Sequence, residues 1–92
     1  MKTERRASLL LRADGTSEEV YPKGAKWTLD ELQAHVGGFI EPVSRTSLPS
    51  DQILLVNEEG LLERLLPNRH ASLIAQRPIV GDALIIPAEQ FE

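Results

Sequence analysis

The chain has 92 residues, 41% hydrophobic and 26% charged, and a formal net charge of −4. This length allows one small domain, and the composition is too apolar for a wholly disordered chain. Cysteine is absent, which excludes disulfides, thiolate metal sites and cysteine catalysis. No apolar run approaches the roughly 20 residues of a membrane span. The acidic balance and the few aromatic residues disfavour binding to nucleic acid.

Charge is divided unevenly along the chain. Residues 1–27 carry six basic against four acidic side chains, whereas residues 28–92 carry four against ten. The polar start from Met1 to Arg6 is followed by only three leucines before Arg12, too few for a secretory signal. We therefore expect a cytoplasmic protein.

The first elements in chain order form a predicted hairpin. Residues 7–12 are leucine-rich, Asp14-Gly15 is a strong turn signal, and residues 19–21 read as a short return strand.

A capping box predicts the next element. Thr28 and Glu31 have the spacing at which each side chain bonds the other's backbone amide, and Trp27 and Leu32 have the spacing of a hydrophobic staple. Leu29, Leu32 and Val36 recur on one helical face, and Gly37 suits a helix end. We expect a helix over residues 29–36 that packs through this apolar face.

Two strands and a turn are predicted in the middle of the chain. Residues 38–43 read as an edge strand because Pro42 lacks a donor, and residues 44–51 read as a polar loop. The apolar run 53–56 is typical of a central strand, and residues 57–60 fit a type I turn. We expect residues 61–65 to return as a strand, with a helix through 58–65 as the alternative.

The last part predicts a second helix and a closing strand. Asn68 suits a helix cap, Ala71, Ile74 and Ala75 give a thin apolar face, and Pro78 stops the helix. Residues 79–86 read as a turn at Gly81-Asp82 followed by a buried strand that ends at Pro87. The sequence thus predicts an α+β domain over residues 7–87, between flexible ends at 1–6 and 88–92. Its sheet is mostly antiparallel with five to six strands, and two short helices cover one face.

No pattern predicts catalysis, a metal or a cofactor. His35 and His70 lie on different predicted helices and neither has a second histidine at ligand spacing. The chain holds no Gly-x-Ser-x-Gly elbow and no glycine-rich nucleotide loop. A hydrolase using Glu58, Glu59 or His70 is the least favoured reading, since adjacent carboxylates at a turn diverge.

Seven residues remain as candidates for binding a ligand or partner. Gly37 and Gly38 could present amides to an anion, although a helix stop and a close backbone crossing explain them as well. Carboxamides can read a small ligand, although Asn and Asp at element ends usually serve as caps and turns. The candidates are Gly37, Gly38, Asn57, Glu58, Glu59, Asn68 and Arg69, with Asp82 as a further polar group beside them.

Five segments in order resemble a small domain family of unknown function found in bacteria, phages and mobile elements. They are Thr28 to Gln33, Val36 to Glu41, Val56 to Gly60, Pro67-Asn68 with Ala71-Ser72, and Val80 to Asp82. The resemblance covers about residues 7–86 and implies no known enzyme activity. It suggests a mobile-element origin and a role in host takeover or defence evasion. His70 stands where relatives often have an aliphatic residue, which lowers any general catalytic role for it.

Two functions follow as hypotheses. The first is a small non-enzymatic interaction module with a protein partner, in which an exposed sheet edge such as 39–43 pairs with another chain or a second copy as a homodimer. The second is a binder of a small, nucleotide-like ligand that uses the glycine amides, the two asparagines and Arg69. A concave pocket favours the second function, and a flat apolar patch favours the first.

Overall fold

A computed structural model describes residues 6–91. Five strands are present among them: β1 (Ser8–Leu11), β2 (Ser17–Val20), β3 (Ile40–Val43), β4 (Gln52–Asn57) and β5 (Ala83–Pro87). Two α-helices, α1 (Leu29–Val36) and α2 (Arg69–Ala75), and a short 3-10 helix (Ala88–Gln90) complete the fold. No helix within this part of the chain is long and apolar enough to cross a membrane.

The strands form one antiparallel sheet in the order β2-β1-β5-β4-β3. The last strand in sequence lies at the centre, between the first and the fourth. The prediction of an α+β domain with a mostly antiparallel sheet is confirmed. Pro42 lies in the edge strand β3, where its missing donor breaks no pairing with β4 on the other side.

Helix α1 begins as its sequence predicts. The Thr28 hydroxyl accepts from the Glu31 amide at 3.1 Å, and the Glu31 carboxylate accepts from the Thr28 amide at 2.8 Å. Leu32 and Val36 are buried on the sheet beside Trp27. Leu29, which the apolar pattern placed in the core, is exposed instead, because the helix rests on the Leu32–Val36 side alone.

The two helices lie on opposite faces of the sheet, so the expectation of one covered face is wrong. Neighbouring strand residues point to opposite faces, and the two core clusters follow that alternation. Leu55 and Leu84 pack with α1, whereas Leu54 packs with Ala71 and Ala75 of α2. The sheet is covered on both sides, which explains the uninterrupted apolar run of β4.

The predicted return strand over residues 61–65 is wrong. Residues 61–64 form consecutive turns, with Arg64 at φ 57°, and Leu65 has no regular secondary structure. Both sides of β4 are already occupied, by β3 and β5, so no place is left for a hairpin partner. The alternative helix does not form either, although the Glu63 amide donates to the Glu59 carbonyl in helical fashion at 2.9 Å. The predicted turn at 57–60 is present, since the Gly60 amide donates to the Asn57 carbonyl at 3.3 Å.

The end of the described chain is tied to its beginning. Residues 88–90, part of the end that the sequence predicts to be flexible, form the 3-10 helix, and Phe91 packs against the α1 side. Gln90 is buried, and its carbonyl accepts from the Trp27 amide at 2.9 Å. The indole Nε1 of Trp27 donates to the Ser8 hydroxyl at 3.0 Å. The predicted flexible start lies outside the described residues apart from Arg6, whose guanidinium is within 3.4 Å of the Asp51 carboxylate.

Candidate functional site

Residues 58–67, here called the leucine loop, form the most apolar exposed segment of the described chain. The side chains of Leu61, Leu62 and Leu66 are 77%, 81% and 70% exposed. The loop leaves the sheet at the end of β4 and returns ahead of α2. Contiguous exposed apolar side chains are unusual on a monomer and mark places where proteins bind other molecules.

The start of the loop is held by the buried side chain of Asn57. Its Oδ1 accepts from the Glu59 amide at 2.8 Å, and its Nδ2 donates to the Glu63 carboxylate at 3.2 Å. The same Nδ2 also donates to the Val36 carbonyl at 3.4 Å, which links the loop to the end of α1. Asn57 therefore orders the first turn of the loop rather than presenting its carboxamide to solvent.

Gly38 packs against this asparagine, and neither Gly37 nor Gly38 has a free amide. Gly37 ends α1 at φ 83°, and the amides of Gly37 and Gly38 both donate to the Gln33 carbonyl, at 2.8 and 3.1 Å. A Cβ on Gly38 would stand 2.8 Å from Nδ2 of Asn57. The helix stop and the close crossing are thus both present, and neither amide is available to an anion.

The end of the loop is pinned by a short antiparallel bridge. Pro67 pairs with Val80, the Gly81 amide donates to the Leu66 carbonyl at 2.7 Å, and the Asn68 amide donates to the Ile79 carbonyl at 2.8 Å. Ile79 and Val80, which precede the predicted turn at Gly81-Asp82, form this bridge with the end of the loop. Because hydrogen bonds hold both ends, the leucines are exposed on an ordered support.

A hollow of about 320 Å³ lies between the loop, β3 and the segment before β5. Leu61 and Leu62 line one side, and Ile79 and Val80 line another. The polar side chains around it are those of Glu41, Asn57, Glu58, Glu59 and Arg77. Arg77 lies 3.8 Å from the Glu41 carboxylate.

Asn68 and Arg69 do not join this cluster. Asn68 is buried and caps α2 by accepting from the Ala71 amide at 3.0 Å. Its Nδ2 donates to the carbonyls of Leu11 and Gly81 at 2.9 and 2.8 Å. Arg69 is exposed at the start of α2. The structure therefore brings together four of the seven candidates, Gly38, Asn57, Glu58 and Glu59. Gly37 lines a separate hollow beside Leu65 and Leu66, and Asn68 and Arg69 lie apart from the four.

The remaining polar groups singled out from the sequence have local structural roles. Asp82 accepts from the Ala13 amide at 2.9 Å. His35 stands edge-on to the Trp27 ring, with centroids 5.4 Å apart, and His70 is exposed on α2. Between Arg6 and Phe91, no group of three His, Asp or Glu side chains is arranged to hold a metal ion.

Sequence reasoning missed the three leucines and Arg77. The sequence predicts Leu61 and Leu62 within a return strand and gives Leu66 no role, because an apolar residue normally indicates burial. The sequence itself does not signal their exposure, since Leu61, Leu62, Leu65 and Leu66 have the i, i+1, i+4, i+5 spacing of an apolar helix face.

A single sheet with one helix on each face defines a small α+β domain. The chain belongs to the family described as a domain of unknown function, DUF3846, whose family model matches residues 9–91. The expected membership of a small family of unknown function is confirmed. No curated protein and no solved structure matches the chain.

Proposed function

We propose that the chain is a non-enzymatic interaction module that binds another protein through the leucine loop. The observation that carries the proposal is the exposure of Leu61, Leu62 and Leu66 on a segment that is hydrogen-bonded at both ends. Leucines on an ordered support lose little further conformational entropy on binding. Leu61 and Leu62 line the hollow, so that one partner can bury them and fill the hollow at the same time.

The small-ligand alternative receives less support from the same geometry. The amides of Gly37 and Gly38 and the carboxamides of Asn57 and Asn68 are all used within the chain. Carboxylates also surround the hollow, and they repel the phosphates of a nucleotide. A cytoplasmic setting is part of the proposal and rests on a composition without cysteine. An origin in a phage or mobile element is also part of it and rests on the family resemblance. A homodimer through the edge strand β3 stays a second prediction.

The test is native mass spectrometry of the tagged protein purified from a cell that carries it. The variant Leu61→Ser/Leu62→Ser removes two of the exposed leucines. The matched control is Leu73→Ser, which replaces a leucine that is 71% exposed on α2, outside the loop. We expect a protein partner in fixed ratio with the wild type and the control, and its loss with the double variant.

Two results would contradict the proposal. Retention of the partner by the double variant would show that the loop is not the contact surface. Purification of the wild type with a bound mass of a few hundred daltons and no protein would favour the small-ligand alternative.

A further inference from the structure

The charged residues around the hollow indicate what kind of protein segment can bind there. This inference rests on the proposed function. Glu41, Glu58 and Glu59 face the hollow together with one cation, Arg77. Arg77 is paired with Glu41 at 3.8 Å. No cation among residues 6–91 pairs with Glu58 or Glu59. The hollow therefore presents two unneutralised carboxylates beside exposed leucines.

We infer that the occupant of the hollow is a basic, amphipathic segment of another protein, with apolar anchors for the leucines and Lys or Arg for Glu58 and Glu59. Complementary charge at the rim of an apolar contact accelerates association and selects among partners. Burial of the leucines supplies most of the affinity, because rim ion pairs contribute little each.

A second copy of the chain fits this surface less well. A symmetric dimer through the leucine loop would place Glu58 and Glu59 of both copies around one contact. Residues 28–92, which contain the loop, hold ten acidic side chains against four arginines. Like charges at such a contact oppose self-association.

Fluorescence anisotropy with three labelled peptides of equal length tests the inference. The first has leucines at helical i, i+3, i+4, i+7 spacing and lysines between them. The second keeps the leucines and replaces every lysine by glutamate. The third keeps the lysines and replaces every leucine by serine. We expect the full chain to bind the first peptide at least about 10-fold more tightly than either of the others.

Two sets of variants locate the contact. Glu58→Gln/Glu59→Gln should weaken binding of the leucine–lysine peptide about 3–10-fold, and added salt should reduce that difference. The matched control is Glu19→Gln/Asp30→Asn, which removes two exposed carboxylates elsewhere and should change the affinity less than twofold. Leu61→Ser/Leu62→Ser should weaken binding at least about 10-fold.

The outcomes separate the inference from the proposed function. Equal binding of the lysine and glutamate peptides, still lost in Leu61→Ser/Leu62→Ser, would overturn the basic partner and leave the leucine loop as a contact surface. Binding of the lysine–serine peptide as tightly as the leucine–lysine peptide would show non-specific charge attraction and overturn the inference. Failure of all three peptides to bind would also overturn it, whereas the mass spectrometry result decides the proposed function separately.

Discussion

At the scale of single residues, the two asparagines at the sheet end have structural roles that their sequence positions only partly show. Asn68 is 1% exposed, and its carboxamide joins α2, β1 and the turn before β5 through three hydrogen bonds. A buried polar group that loses its partners costs about 1–3 kcal/mol, and a lost helix cap costs about 0.5–2 kcal/mol. Asn68 therefore contributes to stability on two counts.

Graded substitutions at Asn68 separate these two contributions. We expect Asn68→Ala to lower the free energy of unfolding by about 2–4 kcal/mol, because it removes the cap and both carbonyl partners. Asn68→Ser keeps an oxygen for the Ala71 amide and should cost less. Urea unfolding measures both variants. Equal stability of Asn68→Ser and the wild type would show that the bonds to Leu11 and Gly81 contribute nothing.

Gly38 and Asn57 should be energetically coupled. A Cβ at residue 38 would meet Nδ2 of Asn57 at 2.8 Å, and that nitrogen is held by Glu63 and Val36. We expect Gly38→Ala to cost about 1–3 kcal/mol in the wild type and clearly less in an Asn57→Ala background, where the obstructing group is gone. A double-mutant cycle in urea gives the interaction energy, and strict additivity would contradict the close contact.

At the scale of elements, α1 depends on a carboxylate whose titration affects folding. The Thr28 and Lys23 amides donate to Glu31 and hold the pKa of its carboxyl below the ordinary value. A lowered folded-state pKa means that the group stabilises the fold above its unfolded pKa, and that this stabilisation is lost as the pH falls through the folded pKa.

The variant Glu31→Gln isolates this effect, because glutamine also completes a capping box but does not titrate. We expect the wild type to be more stable than Glu31→Gln at pH 7 and the difference to shrink as the solution approaches about pH 3. Urea midpoints at both pH values measure it. A difference that is constant with pH, or that grows in acid, would rule out the carboxylate as its source.

The helices and strands also differ in how well the sequence predicts them. The helix α1 was predictable because its cap, staple and terminal glycine all lie within about ten residues of one another. The return strand at 61–65 failed because strand pairing is decided by distant segments: β5 occupies the side of β4 that the strand would have needed. The same limit applies to the helices, since no local pattern tells on which face of the sheet a short helix packs.

The candidate site was predictable only in part, for a related reason. Asn57, Glu58 and Glu59 stood out as turn residues, and the structure places them at the hollow with Gly38 behind them. The exposure of Leu61 and Leu62 depends on the absence of a neighbouring strand. Arg77 reaches the hollow through the path of the chain after α2, which no spacing in the sequence reveals.

At the scale of the whole molecule, one sheet separates two apolar layers. The α1 layer contains Trp27, and the α2 layer contains Leu54 together with Ala71 and Ala75. The layers share every central strand because alternate residues of the same strand serve each of them. Loss of packing on one face should therefore destabilise the other, and the domain should unfold as a unit.

Trp27 is the only tryptophan and reports on the α1 layer alone, so a cavity on the opposite face tests this coupling. Leu54 and Leu55 are both fully buried and point to opposite faces. We expect Leu54→Ala to cost about 2–5 kcal/mol, with tryptophan fluorescence and far-UV circular dichroism giving the same urea midpoint. Leu55→Ala, the matched control, creates a cavity in the layer that contains the tryptophan and should behave in the same way. In Leu54→Ala, the fluorescence midpoint could stay at the wild-type value while the dichroism midpoint falls. That result would mean that the two layers unfold separately, because only the layer without the tryptophan would have lost its packing.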